Sequence, residues 1–297
     1  EAKFMSKQKK NYPYASALPL AQEQVTIIGG HWRRVVDQSR DVGLPRLLDQ
    51  YENRNVVRNF IAAAEGTPRE EENNAPNYDE FLYKALEAAA YYLADEGTQE
   101  LRQQYEWIRD IVLSAQQSDG YLKTDAISNE RERFTGQTHH EMYAGGHLMQ
   151  AGIAEWRTTG EETLFNAARR HIDRLIKAYT EDGIEMPRFK GWKWPDHPNL
   201  EMALVELYRI TGEQKYVDFC HKILAFSEYP ERTKMLHHAV QELLHTTGAT
   251  DYYLETGDEE IWQSTERLYR DMLRKVYVSG AVGAISRGAL PESVGKA

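Results

Sequence analysis

Histidine residues and one aspartate stand where four apolar helices are predicted to begin. They are His139 and His140, His197, His237 and His238, and Asp79 preceded by Asn77. A neutral imidazole both donates and accepts a hydrogen bond, and a helix N-terminus disfavours the protonated form. These properties suit the binding of sugar hydroxyl groups. Two other interpretations remain open, because three histidines can also hold a zinc ion and because each histidine can simply cap its helix.

Aromatic side chains near the same helix starts would complete a sugar-binding site. Tyr143 follows His140 by three residues, and Trp192 and Trp194 shortly precede His197. Such rings can stack on the apolar face of a sugar. The candidate substrate-binding residues are therefore Asp79, His140, Tyr143, Trp194, His197 and His238.

The elements that would position these residues are indicated by a phrase that recurs four times along the chain. Each copy has a central glycine, and the four are Gly97, Gly160, Gly212 and Gly257. Repeats about 50 residues long are typical of stacked helical hairpins. We predict that each glycine ends one helix in the left-handed conformation and that the next helix begins directly after it.

The two helices of each predicted hairpin differ in character. Residues 140–156 carry only Glu141 and Glu155 as charged side chains, which predicts a helix that is buried on nearly every side. Residues 161–179 instead alternate an apolar stripe with arginine, aspartate and lysine. Alternating buried and amphipathic helices predict an all-α fold, an (α/α)6 toroid or barrel that is incomplete in this chain. A helical-repeat solenoid is the alternative.

A toroid of this kind would bring the candidate residues together. Its inner helices run parallel, so all of their N-termini open at the same mouth. Asp79, His140, His197 and His238 precede their glycines by 18, 20, 15 and 19 residues. At 1.5 Å per residue these offsets differ by only ~7 Å along the axis. We therefore predict that the four side chains point into one mouth.

The amino-acid composition of the chain argues against nucleic acids and membranes as binding partners. The chain has 36 lysine and arginine residues against 46 aspartate and glutamate residues, a net charge of −10 that repels nucleic acids and anionic membranes. It contains no apolar run long enough to span a bilayer. Cys220 is the single cysteine, so neither a disulfide nor a cysteine cluster for a metal is expected. Residues 1–22 lack the apolar segment of a secretory signal, so a cytoplasmic location is expected.

Several long phrases, in the same order along the chain, resemble glycoside hydrolase family 127, which is typified by β-L-arabinofuranosidases. They include HEMYAGGHLMQAGIA at 140–154, HPNLEMALVELYRITGEQKYV at 197–217, HHAVQELL at 237–244 and YVSGAVGA at 277–284. The resemblance implies an (α/α)6 catalytic domain over residues 1–297, cut short before the zinc and cysteine motif of the family, with the C-terminal β-sandwich domains not present. It also implies sugar-binding roles for His140, His197 and His238. Asn199 stands where the family's HPE phrase has an acidic residue.

The chemistry implied by the resemblance is a retaining hydrolysis of L-arabinofuranosides or related pentose-containing oligosaccharides. In this family a cysteine nucleophile is held on zinc by a glutamate and further cysteines, and these cysteines are expected beyond Ala297. The family's acid/base position falls at Ala289 or Lys296, and Glu292 is the nearest carboxylate. A lysine cannot easily replace a neutral carboxylic acid, because its charged form is a weak acid at neutral pH.

These expectations define the predicted activity and its alternatives. No metal or other cofactor is expected within this chain, zinc is expected in a full-length family member, and the 297-residue chain alone is expected to be inactive. An oligosaccharide is the expected partner, with a homodimer as a further expectation. The alternative functions are a non-catalytic carbohydrate-binding relative that keeps the pocket, and an (α/α)6 sugar epimerase in which paired histidines move protons.

Overall fold

The computed structural model describes residues 12–20, 24–53, 56–69, 78–95, 97–128, 132–135, 140–188, 195–235 and 238–282. The chain divides into two compact units. The larger unit comprises Pro19–Pro187, and the smaller unit comprises Glu1–Leu18 together with Arg188–Ala297.

Helices form the secondary structure of both units. Those of the larger unit are α1 (Gly30–Gln38), which a π-helical turn (Ser39–Gly43) joins to α2 (Leu44–Asn53), then α3 (Val56–Glu65), α4 (Asp79–Asp95), α5 (Gln99–Ser114), α6 (Thr124–Ser128), α7 (Glu141–Thr159) and α8 (Thr163–Thr180). Those of the smaller unit are α9 (Leu200–Thr211), α10 (Gln214–Phe226), α11 (Ala239–Thr256) and α12 (Glu259–Leu273), with a 3₁₀ turn at Tyr229–Glu231. The described ranges contain no β-strand. The predicted all-α class is therefore confirmed.

Helix α7 is the buried helix that the sequence predicts. Every residue from Glu141 to Glu155 except Gln150 is buried. The following helix α8 presents the predicted apolar stripe, with Leu164, Ala168, Ile172 and Leu175 all fully buried. Burying one leucine or isoleucine side chain contributes about 1.5 to 3 kcal/mol, so this stripe holds α8 on the larger unit's core.

The recurring glycines end their helices as predicted in three of the four hairpins. Gly160, Gly212 and Gly257 have φ angles of 77°, 73° and 69° and follow α7, α9 and α11. For Gly97, whose φ angle involves residue 96 outside the described ranges, the left-handed conformation stays a prediction. Close packing excludes a side chain at Gly97, because an added Cβ would lie 2.6 Å from the Cα of Leu93.

In the smaller unit α9 packs against both α10 and α11, and α12 packs against α11. Buried side chains on these helices include Leu204, Val205, Phe219 and Leu268. Gly248 allows α11 to approach α9, because a Cβ added there would lie 2.5 Å from the Cβ of Glu201. The middle of α11 is therefore held at a short distance from the start of α9.

Candidate functional site

The structure brings His197 and His238 together in the smaller unit. His197 lies three residues before α9, and His238 is the residue that caps the N-terminus of α11. The centroids of the two imidazole rings are 5.8 Å apart and the rings are inclined by 73°. His197 is buried, whereas His238 is partly exposed. Two of the predicted substrate-binding residues are thus neighbours although they are 41 positions apart in the sequence.

Hydrogen bonds to the backbone assign opposite roles to these two histidines when both are neutral. Nδ1 of His197 lies 3.1 Å from the carbonyl oxygen of Pro198, so this nitrogen donates and Nε2 is the acceptor nitrogen of the neutral ring. Nδ1 of His238 accepts the backbone N–H of Val240 at 3.1 Å, so Nε2 carries the proton and donates. The pair therefore combines one acceptor nitrogen with one donor nitrogen.

The turn that carries His197 is fixed by acidic side chains. The backbone N–H of His197 donates to Oδ1 of Asp196 at 2.7 Å, and the backbone N–H of Asn199 donates to Oε2 of Glu201 at 3.1 Å. The other oxygen of Glu201 lies 2.6 Å from Nδ1 of the buried His245. Asn199 replaces the acidic residue of the family's HPE phrase. It still holds this turn, through its backbone N–H.

A second group of candidate residues lies on α7 in the larger unit. His140, Tyr143 and His147 follow one face of this helix, and the Tyr143 ring lies edge-on to both imidazoles, with centroids at 5.7 and 4.6 Å. His140 caps the helix with a φ of 51°, a left-handed conformation that costs a residue with a Cβ about 1 to 2 kcal/mol. The structure therefore keeps a histidine in a strained conformation at the start of α7.

Helix α4 contributes Lys84 to this group, a residue that the sequence analysis did not single out. Its ammonium nitrogen donates to the phenol oxygen of Tyr143 at 2.8 Å and lies 4.9 Å from the centroid of the same ring. Burial lowers the pKa of Lys84, whereas Glu80 and Glu87 on the same helix raise it. The sequence pattern that could have identified Lys84 is a single lysine in an otherwise apolar helix, with glutamates four residues before it and three residues after it.

Two side chains near Lys84 hold their protons tightly. Burial raises the pKa of Glu80 to about 8, although Lys123 and Lys84 oppose this shift. Burial raises the pKa of Tyr143 to about 12, and the nearby Glu80 makes a smaller contribution in the same direction. Tyr143 therefore keeps its phenol proton at physiological pH and can act as a hydrogen bond donor.

The start of α7 is anchored by Glu141. Both carboxylate oxygens accept the backbone N–H of Phe134, at 3.0 and 2.8 Å, and Oε1 also accepts the phenol of Tyr121. Phe134 itself has a φ of 66° and its ring is buried beside Tyr121 and Tyr179. Glu141 thus ties residue 134 to the first turn of α7, next to His140.

Asp79 lies at the start of α4, as predicted, but its carboxylate is fully buried. It accepts the backbone N–H of Thr124 at 2.8 Å and the hydroxyl of Thr124 at 2.6 Å. The ammonium of Lys123 lies 3.5 Å away and also pairs with Asp125 at 2.8 Å. Asp79 therefore fastens α6 to α4, and its direct contact with a sugar stays a prediction.

The remaining predicted site residues lie outside the part of the chain that the structure describes. These are Asn77, His139, Trp192, Trp194, His237, Ala289, Glu292 and Lys296. The described candidates fall into two groups, one in each unit, and the prediction that they share one mouth stays a prediction.

The described residues do not fit the zinc and thiolate set that the family resemblance implies. Among them there is no group of three or more histidine, cysteine, aspartate or glutamate side chains that could hold a metal ion. Cys220 is fully buried on α10, 3.9 Å from the carbonyl oxygen of Glu201, and burial raises the pKa of its thiol. This cysteine is a packed side chain rather than an activated thiolate. Within the described ranges there is also no helix long and apolar enough to cross a membrane.

Comparison with known proteins connects these features to a family. A family model described as "Beta-L-arabinofuranosidase, GH127 catalytic domain" matches residues 24–296. A curated relative, the non-reducing end β-L-arabinofuranosidase of Bifidobacterium longum subsp. longum, is 28% identical over 71% of this chain and 38% of its own length.

Solved structures show the same fold. A GH127 β-arabinofuranosidase superposes with a TM-score of 0.82 at 24% identity, covering 90% of this chain and 46% of that one. A GH127 β-L-arabinofuranosidase from Geobacillus stearothermophilus T6 superposes with a TM-score of 0.79 at 23% identity, covering 89% of this chain and 47% of that one. The helical-barrel fold predicted from the sequence is thereby confirmed, and this chain spans less than half the length of these relatives. Because the family model covers nearly the whole sequence, the chain belongs to the GH127 family of β-L-arabinofuranosidase catalytic domains.

Proposed function

We propose that this chain is the sugar-binding part of a glycoside hydrolase that acts on L-arabinofuranosides or related pentose-containing oligosaccharides. Membership of the GH127 family and the activity named for the Bifidobacterium longum relative support this function. The observation that carries the proposal is the pairing of His197 with His238.

The two neutral imidazoles match the chemistry of a hydroxyl group. A hydroxyl both donates and accepts, and the pair combines the acceptor Nε2 of His197 with the donor Nε2–H of His238. Hydroxyls that meet both nitrogens form two hydrogen bonds, each contributing about 0.5 to 1.5 kcal/mol. Because both Nδ1 atoms are held by the backbone, the rings are already oriented before a sugar binds.

The described residues act by binding and orienting rather than by attacking the glycosidic bond. The retaining hydrolysis implied by the family requires a nucleophile and an acid/base group, and the candidate acid/base positions Ala289 and Lys296 lie outside the described residues. Tyr143 and His140 supply further hydrogen-bonding groups in the larger unit.

The test is binding of methyl β-L-arabinofuranoside to the 297-residue chain by isothermal titration calorimetry. We expect His197→Ala and His238→Ala each to weaken binding by about three- to tenfold, because each removes one hydrogen bond to the sugar. His221→Ala is the matched control, since His221 is exposed on α10 and its ring stacks on Tyr252 away from this pair.

A different result would contradict the proposed function. If the wild-type chain does not bind the furanoside, or binds methyl β-D-glucopyranoside equally well, the proposed substrate class is wrong. If His221→Ala weakens binding as much as His197→Ala, the histidine pair is not the binding site.

A further inference from the structure

The contact between Lys84 and Tyr143 joins two helices of the larger unit at the candidate sugar site. Lys84 is on α4, Tyr143 is on α7, and the residues are 59 positions apart in the sequence. An ammonium group has three donors and no acceptor, so the phenol oxygen of Tyr143 must be the acceptor in this 2.8 Å hydrogen bond. The direction of the bond is therefore determined.

The direction of this bond has a consequence for the phenol proton. A phenol oxygen that accepts from a cation becomes a stronger donor through its own O–H, because the charge polarises that bond. Burial keeps the pKa of Tyr143 at about 12, so the proton remains on the oxygen. Toward a bound sugar, Tyr143 is thus a donor whose strength depends on Lys84.

The surroundings hold both partners in place. The Tyr143 ring is 7% exposed and is flanked by His140 and His147 on α7. The Lys84 ammonium also lies 5.7 Å from the centroid of Phe81, and Glu80 and Glu87 flank it along α4. Burial lowers the pKa of Lys84, and the flanking Glu80 and Glu87 oppose this shift.

We propose that Lys84 is a positioning residue that orients and polarises the Tyr143 hydroxyl so that it donates a hydrogen bond to the bound arabinofuranoside. This inference rests on the proposed function. It assigns one hydrogen bond to a sugar hydroxyl to a lysine and tyrosine pair on α4 and α7 of the larger unit.

A double-mutant cycle on the 297-residue chain tests this role, with methyl β-L-arabinofuranoside as the probe and calorimetry as the measurement. We expect Lys84→Met and Tyr143→Phe each to weaken binding by about three- to tenfold. In the Tyr143→Phe background, Lys84→Met should have almost no further effect, because the hydroxyl that it positions is gone. Lys84→Arg should retain most of the affinity, since a guanidinium also donates to the phenol oxygen.

Controls separate this role from a general loss of stability. Lys177→Met removes an exposed lysine from α8 and should leave binding unchanged. The melting temperature of each variant is measured alongside, because a merely structural lysine would lower it without any coupling to Tyr143 in affinity.

Two results would overturn the inference while the proposed function stands. They are unchanged binding by Lys84→Met, and an equal loss caused by Lys84→Met in the wild-type and Tyr143→Phe backgrounds. Absence of binding by the wild-type chain would overturn the proposed function and the role of Lys84 together.

Discussion

Nδ1 of His245 lies 2.6 Å from Oε1 of Glu201, and both side chains are buried between α9 and α11. The second oxygen of Glu201 accepts the backbone N–H of Asn199 in the turn that carries His197. Glu201 therefore connects the interior of α11 with the turn before α9, and it contributes to the position of His197. This arrangement gives Glu201 a structural role.

Removing the imidazole partner of Glu201 should destabilise the chain strongly. We expect His245→Ala to lower the free energy of unfolding by about 3 to 5 kcal/mol, because a buried acid loses its partner. Urea denaturation measures the change. The control is Lys215→Met, which breaks the exposed pair of Lys215 with Glu213 and should cost less than about 1 kcal/mol. Equal losses in the two variants would show that the buried pair contributes no more than a surface pair.

The close approach of α9 and α11 predicts a strong effect of Gly248→Ala. The added methyl would lie 2.5 Å from the Cβ of Glu201, so the helices must move apart, at a cost of about 1 to 3 kcal/mol. Gly43→Ala is the matched control, because its nearest atom would be 3.8 Å away and the φ of Gly43 is not positive. Thermal denaturation should show a lower melting temperature for the first variant only. A Gly248→Ala protein as stable as the Gly43→Ala protein would contradict this account of helix packing.

The anchor at the start of α7 predicts a local effect of Glu141→Ala. The amide of Phe134 would lose a charged acceptor, and hydrogen bonds to charged groups contribute about 1.5 to 3 kcal/mol. Amide hydrogen exchange at Phe134 should therefore become about ten- to a hundredfold faster. Glu132→Ala, on an exposed residue close to Phe134, should leave this exchange rate unchanged. Unaltered exchange in Glu141→Ala would show that another interaction holds residue 134.

The raised pKa of Glu80 predicts a specific dependence of stability on pH. Burial raises this pKa from 4.5 to about 8, so the folded chain binds the proton more tightly than the unfolded chain does. The contribution of Glu80 to the free energy of unfolding is therefore fully present below about pH 4.5, falls as the pH rises to about 8 and is constant above.

Comparison with Glu80→Gln isolates this effect, because an amide does not titrate. We expect the stability of the variant relative to the wild type to increase between pH 5 and pH 8 by up to a few kcal/mol, as about 1.4 kcal/mol corresponds to one pKa unit. Denaturant titrations at several pH values provide the measurement. A difference that stays constant with pH would show that Glu80 titrates normally.

The family chemistry predicts that binding and cleavage separate in this chain. Because the resemblance places the cysteine nucleophile beyond Ala297, we expect the 297-residue chain to release no arabinose from a β-L-arabinofuranoside under conditions where a longer version does. In the longer version, His197→Ala should lower kcat/KM by roughly tenfold or more.

This expectation would be contradicted if the 297-residue chain released arabinose, a substitution within residues 1–297 abolished that release, and metal chelators did not affect it. The carboxylates to test next would then be Glu141, Glu201 and Glu292.

Local patterns in the sequence were enough to predict the helical hairpins. The position where α4 begins at Asp79, the histidine caps at His140 and His238, and the burial of α7 all follow from short-range periodicity and capping preferences. Gly97 shows the limit of that reasoning. The nearby backbone of Leu93 leaves no room for a side chain at this position, and a distance between atoms cannot be read from a recurring phrase.

The sequence by itself determined the hairpin order, the family and the positions of the histidines at helix starts, because these depend on residues that are close along the chain. Only the tertiary structure decided which side chains meet. The pairing of His197 with His238 and the hydrogen bond from Lys84 to Tyr143 join residues 41 and 59 positions apart. Such contacts depend on how closely neighbouring helices pack, and that spacing is set by the summed packing of both helices rather than by either local pattern.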